Sequence, residues 1–108
     1  MEISFRDRQM QKLCSDERSA VKELGPIRAK RLRTRLNELG LAARVAELLT
    51  GRPHPLKGDR AHQFSVDLDG PMRLIVEAND PAAIVPGGAI DWPNVTAVWV
   101  VALEDTHE

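Results

Sequence analysis

At 108 residues with 43% hydrophobic content, the chain has the length and apolar material for a real core rather than a disordered tail, and the expectation is one modest domain spanning 1–108. Its single cysteine, Cys14, excludes an internal disulfide and any zinc site assembled from cysteines, so a reducing compartment is the expected home. The formal net charge of −1 conceals a division: residues 1–60 carry fourteen of the fifteen Lys and Arg against eight acids, a balance of +6, whereas residues 61–108 carry only Arg73 against eight acids, a balance of −7. Such asymmetry points to a basic working surface on the first half or to the solvated faces of amphipathic helices, and charge alone does not separate the two.

The opening Met1-Glu2-Ile3-Ser4-Phe5-Arg6-Asp7 lacks the long apolar run of a signal peptide, and no uncharged apolar stretch reaches membrane-spanning length. The expectation is a soluble, cytoplasmic protein with no membrane contact. Ile3 and Phe5 alternate with polar neighbours, as in an edge strand that a larger sheet completes. From Asp7 to about Leu24 the apolar residues Met10, Leu13, Cys14, Val21 and Leu24 recur at helical spacing, which predicts two short helices broken near Ser15-Asp16. Gly25 ends this run and Pro26 opens the next.

Ala29, Leu32, Leu36 and Leu39 then share one helical face, while Arg28, Lys30, Arg31, Arg33 and Arg35 mostly cover the remainder. Gly40 is expected to interrupt this basic amphipathic helix, and a shorter helical piece carrying Val45, Leu48 and Leu49 to follow. Gly51, Pro53 and Pro55 force an extended or turning backbone and end the helical half. Beyond Arg60 the period is two: Phe64, Val66 and Leu68 alternate with Gln63, Ser65 and Asp67, and Asp69-Gly70-Pro71 turns the chain into Met72-Arg73-Leu74-Ile75-Val76. That is a hairpin. Residues 78–94, with three prolines and Gly87-Gly88, read as a long loop to a last strand, roughly Val95 to Leu103, whose apolar residues on both faces predict a central position. The order strand, helices, then three strands implies an α+β fold, with helices on one face of an antiparallel-rich sheet.

Three places concentrate groups able to carry chemistry. The loop His54-Pro55-Leu56-Lys57-Gly58-Asp59-Arg60 sets one imidazole beside two cations on a proline-stiffened connection just before a strand; taken alone it reads more readily as an ordinary polar connection than as a site. Arg73, the only cation of the second half, either pairs with a nearby acid or projects from the sheet to meet an anion such as phosphate. The tail Glu104-Asp105-Thr106-His107-Glu108 carries a histidine of the kind that is usually idle near a terminus. His62, at the start of an alternating strand, fits a surface residue and is not selected.

Taken together, the opening Ile3-Ser4-Phe5-Arg6-Asp7, the helical section, His54-Pro55-Leu56-Lys57-Gly58-Asp59-Arg60 leading into Phe64-Ser65-Val66, the turn before Met72-Arg73-Leu74-Ile75, and Glu104-Asp105-Thr106-His107 resemble the RelE/HigB toxin superfamily over essentially the whole chain. The resemblance is nearest to the HigB-like plasmid-maintenance killer proteins. It implies a RelE-like fold with a concave basic surface, and cleavage of messenger RNA in the ribosomal decoding site without metal or cofactor. It also implies a helix-turn-helix, HigA-like antitoxin as partner, with operator DNA contacted only through the antitoxin complex. On this sequence it makes His54 and His107 the proton-transfer pair and Asp105 the residue that orients or tunes His107. Lys57 and Arg73 become the cations that stabilise the pentavalent phosphate, and Arg60 a residue that holds the RNA backbone. The chain departs from its relatives at Thr106, where many carry a tyrosine, and at Met72, where tryptophan is common; its loop 78–94 is also longer and acidic. Two other outcomes fit the same fold: a ParE-like inhibitor of DNA gyrase, and a module that retains only antitoxin recognition.

Overall fold

A computed structural model describes residues 1–105. Strand β1 (Glu2–Phe5) leads into three consecutive helices, α1 (Arg8–Ser15), α2 (Glu17–Leu24) and α3 (Pro26–Leu41). The break between α1 and α2 falls at Asp16, as the sequence predicts, and each of these short helices is started by an aspartate. Asp7 accepts from Met10 N at 2.8 Å and Asp16 from Arg18 N at 3.0 Å, satisfying amide groups that have no partner inside the helix. Gly25 closes α2 with its amide on Val21 O (2.8 Å) and a φ of 83°, and Pro26 begins α3.

Two sequence expectations are corrected here. Gly40 does not interrupt α3, which continues to Leu41. Glycine costs a helix only about 1 kcal/mol relative to alanine, and Leu39, fully buried just before it, anchors the last turn. The helical piece expected after it is a single 3-10 turn, Val45–Glu47; Val45 enters the core, but Leu49 is 89% exposed.

Four strands follow rather than the expected three, because the start of the expected loop 54–60 pairs with Phe64 and Ser65: β2 (His54–Pro55), β3 (Gln63–Asp69), β4 (Met72–Ala78) and β5 (Ala97–Asp105). They form one mixed sheet in the order β1-β5-β4-β3-β2. β1 lies at one edge, parallel to β5, and the other pairings are antiparallel. The expected hairpin is β3–β4, and β5 has neighbours on both sides, as its apolar run predicts. The loop 78–94 is more ordered than expected: it holds 3-10 turns at Pro81–Ala83 and Trp92–Asn94 and a bridge between Ile84 and Ile90. Trp92 is buried there, stacked at a tilt on Phe64 with ring centroids 5.0 Å apart and its indole N–H on Ala61 O at 3.3 Å.

The helices cover one face of the sheet. Met10 of α1 and Leu32 and Leu39 of α3 pack with Phe64, Val66, Leu68, Leu74, Val76, Val98 and Val100 in one core. The chain is thus α+β, three helices on a five-stranded mixed sheet. Among the described residues no helix is long and apolar enough to cross a membrane.

Candidate active site

The sheet face turned away from the helices carries three cross-strand rows: Gln63, Glu77 and Trp99; then His54, Ser65, Ile75 and Ala102; then Asp67, Arg73 and Glu104. Side chains paired across antiparallel strands lie on the same face, so the register alone gathers His54 and Arg73. By strand spacing their Cα positions, two strands and one row apart, are separated by roughly 12 Å.

His54 is exposed on the edge strand β2. Its Nδ1 lies 2.6 Å from the Arg52 carbonyl oxygen. A carbonyl only accepts, so Nδ1 carries the proton and Nε2 of the neutral ring keeps its lone pair. Leu56 N bonds Gln63 O at 2.9 Å, after which the chain enters the 3-10 turn Gly58–Arg60. Lys57 stands just before that turn, exposed and without an ion-pair partner among the described residues.

Arg60 spans the face. Its Nη2 donates to Glu104 Oε2 (2.7 Å) and its Nε to Gln63 Oε1 (2.8 Å), which ties the first row to the third and crosses the middle one. Ser65 and Ile75, in the middle row, are each only 1% exposed although the helices leave this face open. The hydrogen bond to Glu104 holds the Arg60 guanidinium even further above its ordinary value, against the opposing effect of burial. Gln63 passes the chain of contacts on to Glu77 (3.0 Å), whose carboxylate also lies 3.7 Å from His62 Nε2.

Arg73 takes the first of the two outcomes left open by the sequence: its Nε lies 3.0 Å from Asp67 Oδ1, and its Nη1 donates to Gly70 O at 3.1 Å. Asp67 also receives Arg52 Nε on Oδ2 at 2.6 Å. Behind this carboxylate Arg35 of α3 donates Nε to Asp67 O (2.7 Å) and Nη1 to Glu38 Oε1 (2.6 Å), and Thr50 Oγ1 hydrogen-bonds Glu38 Oε2. Asp67 N in turn donates to Gly51 O at 2.7 Å.

Of the predicted site residues, the register thus sets His54 and Arg73 on one face, and the hydrogen bonds to Gln63 and Glu104 bring Arg60 to it. Asp105 is not with them. It pairs with Met72, a core-side residue, so it belongs to the opposite face of β5. Glu104, one residue earlier, is the acid on the site face. His107 lies outside the described residues. Sequence reasoning missed Glu104, Asp67, Arg52 and Arg35; the one available signal was Asp67, an acid on the polar side of the strand facing the half's lone arginine. Among the described residues no three His, Cys, Asp or Glu side chains converge as a metal site requires. Neither a scan of the chain against protein-family models nor a search of curated proteins finds a match.

Proposed function

We propose that the chain is a RelE/HigB-like toxin of a type II toxin-antitoxin system, with a RelE-like fold: a cytoplasmic, metal-independent endoribonuclease that cuts messenger RNA on the ribosome and is silenced by a HigA-like helix-turn-helix antitoxin. The observation that carries this reading is His54, exposed and fixed by the Arg52 carbonyl in the tautomer whose Nε2 is basic, on the same sheet face as Arg73. In this reaction Nε2 takes the proton of a ribose 2′-hydroxyl, and the 2′-oxygen attacks the adjacent phosphorus. The bond to the 5′-oxygen breaks, and that oxygen leaves with a proton, for which the proposed donor is His107, the other member of the proton-transfer pair that the resemblance implies. The products are a 2′,3′-cyclic phosphate and a 5′-hydroxyl. Arg73 and Lys57 supply positive charge where the pentavalent phosphate develops its negative charge. Exposed cations of the helices, Lys30 and Arg31 among them, supply sequence-independent, salt-sensitive attraction to ribosomal RNA.

The test is induction of the wild type and of His54→Ala in growing bacteria, with mapping of messenger RNA ends. Growth arrest with new ends inside translated frames is expected for the wild type only. Intact transcripts with accumulated DNA breaks would instead mark a gyrase inhibitor. A second reading has an observation of its own: Arg60 is paired with Glu104 and Arg73 with Asp67, so two of the site's cations are already engaged in ion pairs. That pairing suits a module that binds an antitoxin without turning over RNA, for which induction is harmless.

A further inference from the structure

One carboxylate on the site face serves two guanidiniums. Asp67 holds Arg52 Nε on Oδ2 and Arg73 Nε beside Oδ1, at 2.6 and 3.0 Å, so the trio keeps one net positive charge. The two arginines differ in what remains open. Arg73 is 16% exposed and spends Nη1 on backbone carbonyls, whereas Arg52 is 73% exposed and both its Nη groups are uncommitted among the described residues. The backbone at Arg52 is also unusual. Its φ of 45° follows a φ of 80° at Gly51, and a left-handed non-glycine residue is disfavoured unless its surroundings hold it there. Here they do: Arg35 Nε and Gly51 O grip the Asp67 backbone at 2.7 Å each, and Arg52 O receives the His54 ring proton at 2.6 Å. One residue therefore offers a free guanidinium edge to solvent and its carbonyl to the candidate base.

We infer that Arg52 is a phosphate-binding residue of this face and that Asp67 is a positioning residue that mounts it beside Arg73. The anion is a phosphodiester of single-stranded RNA, which the planar donor edge of Arg52 grips through two parallel N–H bonds. That identification rests on the nuclease reading.

The experiment measures binding of a fluorescein-labelled single-stranded RNA oligonucleotide to the full chain by anisotropy across a salt series, alongside thermal unfolding and ribosomal message cleavage. Arg52→Gly is the informative variant, because glycine accepts the left-handed backbone that Arg52 adopts and the fold is expected to be kept. It is expected to unfold no earlier than wild type, to bind RNA roughly tenfold more weakly, and to lose about 0.7 from the log–log salt slope, the share of one phosphate contact on a single strand. Arg44→Ala, which removes a guanidinium bonded to Asn94 Oδ1 at 3.0 Å, is expected to keep the wild-type slope. Asp67→Asn removes the shared counter-charge, so RNA binding is held or strengthened while cleavage falls, a split of kcat from KM that a purely structural acid does not produce. Wild-type affinity and slope in Arg52→Gly, or no RNA binding by the wild type, overturns the inference. An Arg52-dependent slope in a chain that cuts no message leaves the phosphate site standing and removes the nuclease reading.

Discussion

Gly51 is where the demands on a single residue are most severe. Its φ is 80°, and a Cβ there would stand 2.8 Å from both Arg35 Nε and Val66 Cγ1. Neither neighbour has room to give. Val66 is in the core, and Arg35 Nε holds the Asp67 carbonyl. Gly51→Ala therefore combines a left-handed β-carbon with the loss of a helix-to-strand hydrogen bond, and is expected to cost about 2 kcal/mol, roughly 10 °C in Tm. Thermal unfolding checks this. Arg52, the next residue, carries the opposite expectation under Arg52→Gly, so the pair separates a glycine required by packing from an arginine kept for its charge.

The decisive element is β5, because it contains an extra residue. Val76 pairs with Val100 and Ile75 with Ala102, so Val101 has no partner of its own on β4. Strict alternation from the buried Val98 and Val100 would set Asp105 on the site face and Glu104 in the core. The bulge reverses that parity: Leu103 joins the core, Glu104 meets Arg73 and Arg60, and Asp105 falls opposite Met72. Deletion of Val101 removes only the unpaired residue. It is expected to leave the Arg73–Glu104 and Met72–Asp105 pairings in place, seen as retained cross-strand nuclear Overhauser contacts in a folded protein. Deletion of Leu103 instead shifts the chain beyond it by one and sends Glu104 to the core face.

Across the whole molecule, the two oppositely charged halves are knitted together. Arg28 meets Asp69 at 3.7 Å, Arg52 meets Asp67 at 2.6 Å and Arg60 meets Glu104 at 2.7 Å. Three acids of the second half, Asp67, Asp69 and Glu104, thus pair with cations of the basic segment. Acid sensitivity follows from individual carboxyls. Burial pushes Glu38 up, but the Thr50 hydroxyl and the Arg35 guanidinium outweigh it and hold the group below its ordinary 4.5. The Met10 amide, then the Arg6 side chain, hold Asp7 below its ordinary 3.8. A carboxyl lowered in the folded state stabilises the fold above its unfolded pKa, and that contribution is lost as pH falls through the folded value. Tm is therefore expected to hold near neutrality and to drop as pH goes below about 4.5, with a shallower drop over that range in Glu38→Gln, measured by thermal scans at successive pH.

The sequence by itself determined the α+β class, the Asp16 break, the Gly25-Pro26 junction, the β3–β4 hairpin and the interior place of β5. These follow from hydrophobic period and from capping or turn residues, signals carried by neighbours a few positions apart. It also singled out His54 and Arg73, an imidazole beside proline and a cation alone among apolar residues. Only the tertiary structure decided that Glu104 rather than Asp105 shares their face, since one unpaired residue in β5 shifts the parity of everything after it and no local pattern marks the spot. It alone decided that Asp67 joins Arg52 to Arg73, because that junction depends on α3, a left-handed turn and two strands converging on one carboxylate.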